Sequence, residues 1–378
     1  MTSFDIMQTA GGAEISVRFL ATELSRRGHE VHIFHGYGNE RTTINCASNL
    51  VIHSAVGPRI PLVGGILSAI HIYREFVREN SVKEFDVVDF SGPLFGIFIG
   101  RLRRLPTVFT TVDNVALEFR GFANSYRLKV AHYYFLLRLL EIVCLKMSRA
   151  IVVQTENNRR EFLKNNPELH DKICVIPLSV DHSWFDPSLK FGRANSVFPN
   201  FIYVGAGKKR FTNVFIESLL ALNKNGIKAQ GVVLREDCTT IDRISKELGI
   251  SITCYSRVEE RELKKLFASS AAYVLPSPRE GFARSVVEAA SVGTPSLVSP
   301  LQSVQEFVKD GENGFVIHSN DPREWAKYMK NLLQDPKLWH KLSNNARKKS
   351  ENYDVVRICD KVETLYNSLA GSKPLSYR

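Results

Sequence analysis

The sequence predicts an α/β protein made of two doubly wound, Rossmann-like domains. Three observations carry that expectation. Strand and helix patterns alternate on both sides of one irregular stretch, that stretch falls mid-chain, and 378 residues suffice for two domains of ~100–200 residues each.

The N-terminal half opens on Gly11-Gly12-Ala13-Glu14, then Val17, Leu20 and Leu24 at helical spacing. Gly28 falls where a helix ends through a left-handed residue. Residues 29–34 alternate as a strand. Only residues 2–7 are left for the strand that should precede the glycines. Either that first strand is very short or the natural chain begins upstream of Met1. Strand patterns follow at 85–90, 107–112, 150–153 and 172–177, with a long helix over 125–147. Residues 186–200, rich in Pro, Gly, Ser and Asn, read as a linker. Beyond it the pattern restarts with strands at 201–204, 231–234, 252–255 and 272–275 and helices at 213–224, 240–248 and 259–269. The domains are expected at 1–185 and 198–352, with a last helix within 353–372 returning to brace the N-terminal domain. Such sheets bind ligands outside the carboxyl ends of their strands, so two facing domains make a cleft.

Composition narrows the function classes. With 44% hydrophobic and 24% charged residues, the chain is not wholly disordered, collagenous or fibrous. A net charge of +11 favours polyanions, anionic membrane surfaces or phosphorylated small molecules. Cys46, Cys144, Cys174, Cys238, Cys254 and Cys359 lie far apart with no CxxC pair, which predicts reduced, mostly buried thiols. The N-terminus lacks a basic start followed by an apolar run, and no stretch approaches the ~20 apolar residues of a membrane span. The chain therefore reads as cytoplasmic, with membrane contact only at a surface. The histidines show no ligand spacing along the sequence and no HExxH or Cys/His set occurs, so no metal site is expected.

The most informative run is residues 275–289, which ends a strand, crosses a Pro/Ser/Gly loop and enters a helix stopping at Gly293-Thr294-Pro295. Glu280 falls in the loop and Glu288 on the helix. The amides of Gly281, Phe282 and Ala283 stand near a helix N-terminus, which can receive phosphate or a sugar hydroxyl. Ionised carboxylates accept hydrogen bonds from vicinal hydroxyls. A plainer reading stays open: Glu280 favours the helix dipole and Glu288 is a solvated surface residue. In the same way Gly205-Ala206-Gly207-Lys208-Lys209-Arg210 is either a solvated basic loop or an anion site. Gly11-Gly12 is either a helix-starting turn or a close backbone approach to a ligand.

Glu280, seven residues and Glu288, followed by Gly293-Thr294-Pro295, resemble the signature of the retaining family 4 glycosyltransferases of GT-B fold. Further landmarks occur in order: Gly11-Gly12-Ala13-Glu14, residues 27–31 (RGHEV), Ile176-Pro177-Leu178-Ser179-Val180-Asp181 with Phe185, and Glu306 before Asp310-Gly311-Glu312-Asn313-Gly314. The resemblance implies transfer of a sugar from a nucleotide-diphosphate donor to an acceptor hydroxyl, with retention and without a metal or other cofactor. It assigns Glu280 to hydroxyls of the transferred sugar, Glu288 to the ribose, and Lys209 with Arg210 to the diphosphate, Lys208 being a competitor for that role. Gly11, Gly12, Gly281, Phe282 and Ala283 would line the donor. Asp113 would orient an acceptor hydroxyl, or else cap the next turn. Departures from the family pattern are Arg235-Glu236-Asp237 after the second strand of the C-terminal domain, Ala283-Arg284-Ser285, and Leu178-Ser179. A non-catalytic nucleotide-sugar-binding subunit and a nucleotide-sugar epimerase on the same scaffold are the alternatives.

Basic residues concentrate at Arg101, Arg103, Arg104, Arg120, Arg127, Lys129, Arg138, Lys146 and Arg149, interleaved with Phe122, Tyr126, Tyr133, Tyr134 and Phe135. No nucleic-acid-binding motif accompanies them, so nucleic acid is not an expected partner. An anionic leaflet carrying a glycan or lipid-linked acceptor is one reading. A long helix with a wet basic side and Leu136, Leu139, Leu140 and Val143 in the core is the other.

Overall fold

Val17, Leu20 and Leu24 do share a helix, and the left-handed residue after it is Gly28, at φ 96°. The structure is a computed structural model and describes residues 12–38, 42–47, 49–56, 63–102, 104–111, 131–189, 200–205 and 209–371. The chain divides into two units, Met1–Ser179 with Val355–Arg378, and Val180–Asp354.

In the first unit α1 (Gly12–Arg26) leads into β1 (Val31–Gly38), β2 (Thr42–Ala47) and β3 (Leu50–Val56). β1 and β3 pair parallel, and β2 adds antiparallel to β3. The sequence reading missed β2 and β3, where polar residues such as His53 and Ser54 are buried and blur the alternation. It missed α2 (Val63–Val82) as well, whose apolar start is broken by Gly64 and Gly65. β4 (Val88–Ser91), β5 (Thr107–Thr110), α3 (Ala131–Met147), β6 (Ala150–Val153), α4 (Glu156–Asn165) and β7 (Ile173–Val175) follow. The strands β4 to β7 form a four-stranded parallel sheet in chain order. Its core gathers Phe34, Ile72, Phe76, Phe90, Phe95, Phe109 and Phe162. The expected strand at 2–7 lies outside the described residues.

α3 corrects one expectation. Leu137, Cys144 and Leu145 face the core, whereas Leu139 is exposed, as is Phe135 one turn earlier.

The second unit runs β8 (Asn200–Val204), α5 (Lys209–Lys224), β9 (Gln230–Leu234), α6 (Cys238–Leu248), β10 (Ser251–Tyr255), α7 (Glu260–Ala268), β11 (Ser270–Leu275), α8 (Arg284–Ser291), β12 (Ser296–Val298), α9 (Gln302–Gln305), β13 (Gly314–Val316), α10 (Pro322–Gln334) and α11 (Pro336–Ser350). All six strands pair parallel in the order β10-β9-β8-β11-β12-β13. Every residue of β11 is buried, as a central parallel strand covered on both faces requires. The Asp310–Gly314 landmark proves to be a turn that holds itself. Asp310 Oδ1 accepts from the Val316 amide at 2.9 Å, and the buried Asn313 donates to the Phe307 carbonyl at 3.0 Å.

Cysteine usage also differs from expectation. Cys238, at the start of α6, and Cys254, in β10, form a disulfide with their Cα atoms 5.4 Å apart. They stand at a sequence separation of 16, and only the pairing of β10 beside β9 brings them together. Cys46, Cys144, Cys174 and Cys359 are free thiols.

The last helix, α12 (Val355–Ala370), joins the first unit. Arg27 is its anchor: Nη1 donates to Asp360 at 2.7 Å and Nη2 to the Val356 carbonyl at 2.7 Å, with a closer contact to Glu363. Tyr366 donates to the half-buried Asp89 at 2.7 Å. Among the described residues no helix is long and apolar enough to cross a membrane.

Candidate functional site

The order of the second sheet fixes where a ligand can go. From β8 the chain winds outward through β9 and β10, then returns to start β11 on the other side of β8. β8 and β11 are hydrogen-bonded neighbours, so the switch point lies between them, and the loops leaving their carboxyl ends flank one crevice. Those loops carry the two motifs that the sequence set 70 residues apart.

From β8, Gly205 leads to α5, whose first two residues are Lys209 and Arg210. The helix begins four residues earlier than the apolar periodicity indicated, because Thr212 turns inward. Its hydroxyl donates to Glu236 Oε1 at 3.0 Å and lies 3.4 Å from the Tyr203 hydroxyl. Glu236 follows the end of β9 and folds over Gly205. A Cβ on Gly205 would stand 2.2 Å from Glu236 Oε1, so the glycine is what admits the carboxylate. Arg235, at φ 61°, takes the left-handed turn before Glu236. This is a conformation that usually selects glycine.

From β11, the loop 276–283 carries Glu280 and enters α8, which begins after Ala283 with no side-chain cap. Ser303, in α9, donates to the Glu280 carbonyl at 2.6 Å and fixes the loop from below. Glu280 is half-buried, and its carboxylate faces two buried phenols. Burial holds Tyr273 well above the usual phenol range, the Ser285 hydrogen bond opposes that, and Glu280 adds to it. Tyr203 is raised in the same way, by burial first, with Glu236 and Glu280 contributing. Both phenols therefore stay neutral and act as hydrogen-bonding groups; the Tyr273 and Ser285 hydroxyls are 2.8 Å apart.

Glu288 lies on the second turn of α8 and is only 8% exposed, which rules out a solvated surface role. Arg284 Nη1 pairs with its Oε1 at 3.1 Å, and Arg284 is itself 6% exposed. The substitution at Ala283-Arg284-Ser285 thus places a buried cation against the second carboxylate of the signature. A ligand hydroxyl reaching Glu288 would share it with this guanidinium.

The structure brings together Glu280, Gly281, Phe282, Ala283 and Glu288 at one side of the switch point and the start of α5 at the other. Gly12 is the first residue of α1, in the other unit. Gly11, Lys208 and Asp113 lie outside the described residues. Sequence reasoning gave no role to Glu236, Arg284 or the Tyr203–Tyr273 pair. The first two stood out in the sequence only as departures from the family pattern, and the tyrosines carry no motif.

Residues 202–349 match the family model described as Glycosyl transferases group 1, and residues 10–184 that described as Glycosyltransferase Family 4. A relative from Escherichia coli, UDP-Gal:alpha-D-GlcNAc-diphosphoundecaprenol alpha-1,3-galactosyltransferase, is 24% identical over 331 residues, covering 83% of this chain and 82% of its own. The alpha-monoglucosyldiacylglycerol synthase of Acholeplasma laidlawii is 23% identical, covering 95% and 94%. Sucrose-phosphate synthase from Thermosynechococcus elongatus superposes with a TM-score of 0.77 at 18% identity, covering 95% and 94%.

Proposed function

From the premise that this chain belongs to the family 4-like glycosyltransferases of GT-B fold, we propose that it moves a sugar from a nucleotide-diphosphate donor to the hydroxyl of a glycan or lipid-linked acceptor. The observation that carries the proposal is the adjacency of β8 and β11. It sets the cationic start of α5 beside the Glu280 loop at the sheet's switch point.

The roles follow from charge. Cleavage of the sugar–phosphate bond leaves a nucleoside diphosphate on which negative charge grows. Lys209, Arg210 and the amides of the first turn of a 16-residue helix are suited to stabilise it without a metal ion. Glu280 accepts hydrogen bonds from the transferred sugar, and Glu288, restrained by Arg284, from the ribose. Glu236 stands at the nucleotide end of the same crevice. The acceptor hydroxyl attacks from the face the diphosphate leaves, with retention. This chemistry asks for positioning and leaving-group stabilisation more than for a protein nucleophile. Two relatives with lipids in their names, a diphosphoundecaprenol galactosyltransferase and an alpha-monoglucosyldiacylglycerol synthase, support a lipid-linked acceptor and work in cell-surface glycan or glycolipid synthesis.

The account extends to a membrane surface. Phe135, 65% exposed, and Leu139, 46% exposed, project from one face of α3, with Ile97 exposed nearby in sequence to Arg101 and Arg104. Arg138 is spent on the buried Glu141, so the contact would be part apolar, part basic. Sedimentation with anionic vesicles across a salt series tests it: partial release by salt is expected, and absence of binding at low salt would refute it.

Turnover of a panel of nucleotide sugars tests the activity. One donor should be hydrolysed or transferred, and Glu280→Ala should lower that rate about 100-fold or more. No turnover together with no nucleoside diphosphate binding would sink the reading.

A further inference from the structure

Two histidines 21 residues apart meet on one face of the first sheet. β1 and β3 run in parallel register with Phe34 opposite His53, so His32, two residues before Phe34, shares the face of His53. His32 Nδ1 and His53 Nε2 stand 3.0 Å apart. Glu79, from α2, brings a carboxylate to the same place, and the three ligand-bearing atoms lie within 4.8 Å of one another. Among the described residues this is the one such group of three or more His, Cys, Asp or Glu side chains.

The outer partners suit a metal. Glu30 Oε1 lies 3.2 Å from His32 Nε2. A carboxylate only accepts, so Nε2 carries the proton and Nδ1 keeps its lone pair toward His53. Thr43 Oγ1 lies 3.5 Å from His53 Nδ1 and serves either tautomer, because a hydroxyl both donates and accepts. Without a metal, His53 Nε2–H donates to His32 Nδ1. A cation takes that hydrogen's place when His53 carries its proton on Nδ1 instead, facing Thr43, with no net proton released. Lys83 pairs closely with Glu30, and Arg78 Nη2 donates to Glu79 Oε1 at 3.1 Å. A carboxylate has lone pairs for a metal and an arginine together.

The geometry points to a zinc site formed by His32, His53 and Glu79, with water as fourth ligand, that ties α2 to the sheet. Two imidazole nitrogens at tetrahedral angle on zinc stand ~3.3 Å apart, a few tenths of an ångström more than here. Magnesium and calcium prefer all-oxygen sets, whereas an imidazole pair with one carboxylate suits zinc. His32 is the second residue of β1, at the amino ends of the strands, opposite the end where such sheets bind substrates. The ion is therefore structural and stands apart from the transfer chemistry.

Titration of the chelator-treated full chain with zinc sulfate by calorimetry, with cobalt as a spectroscopic substitute, decides the matter. One zinc per chain, a raised Tm and the visible absorption of four-coordinate cobalt are expected. Glu79→Gln, at a position 25% exposed on α2, should keep the fold by circular dichroism. It should weaken zinc by more than the ~10–100-fold cost of losing an outer-shell partner. Glu30→Gln, which removes only such a partner, should fall within that range. A folded chain that takes up no zinc, or Glu79→Gln with unchanged stoichiometry and affinity, would overturn the site.

Discussion

The two units spend their buried polar groups differently. In the second, three pairings stand at or near the carboxyl ends of β8, β9 and β11: Thr212 on Glu236, Tyr273 with Ser285, and Arg284 on Glu288. In the first, buried and half-buried polar groups join elements to one another: Ser16 to Ser179, Glu23 to Arg27 and Arg27 to α12, and Asp89 to Thr110 and Tyr366. Buried polar groups are costly unless paired, and what they are paired for differs. In one unit these pairings shape the candidate crevice; in the other they hold the fold.

That contrast can be broken by mutation. Arg27→Ala leaves Glu23, 7% exposed, with one cation fewer and frees α12. We expect a loss of about 2–3 kcal/mol, a fall in Tm of roughly 5–10 °C, and nucleotide affinity unchanged. An altered affinity with an unchanged Tm would reverse the assignment. Gly205→Ala should do the opposite. Its Cβ displaces Glu236 and should raise the donor KM about tenfold, ~1.4 kcal/mol, with little change in Tm; steady-state kinetics beside a melting curve reads both.

A finer probe is pH. Burial raises the Asp89 carboxyl, the Tyr366 and Thr110 hydrogen bonds opposing it. The folded chain thus keeps a proton that the unfolded chain has already lost. The contribution of Asp89 to the stability of the first unit should be greatest below the ordinary carboxyl value of ~3.9 and decline as pH rises toward the folded value. Each unit of elevation is worth about 1.4 kcal/mol. Asp89→Asn should flatten that slope in denaturant titrations at several pH values. A slope unchanged by the substitution would remove Asp89 from the account.

Much of this was legible in the sequence where local pattern and fold agree. The alternation after residue 200 corresponds strand for strand to β8 through β11. Gly28 ends its helix as read, and the Glu280–Glu288 spacing straddles a strand-to-helix turn. What could not be read depends on pairing across the sheet. The Cys238–Cys254 bond, the approach of His32 to His53, and Glu236 over Gly205 each join residues that only strand order makes neighbours. β2 and β3 were missed because buried histidine and serine hide a strand's alternation. One of the two readings of α3 put Leu139 in the core, because spacing gives a face but not which side of it is covered.

The central claim is that a diphosphate is held where β8 and β11 part. Calorimetric titration of UDP, GDP and ADP into the full chain, and into the Lys209→Ala/Arg210→Ala double variant, tests it most directly. We predict that one nucleotide binds, that its affinity falls as salt rises, and that the double variant binds at least ~10-fold more weakly. Equal affinity in the two proteins would contradict the account.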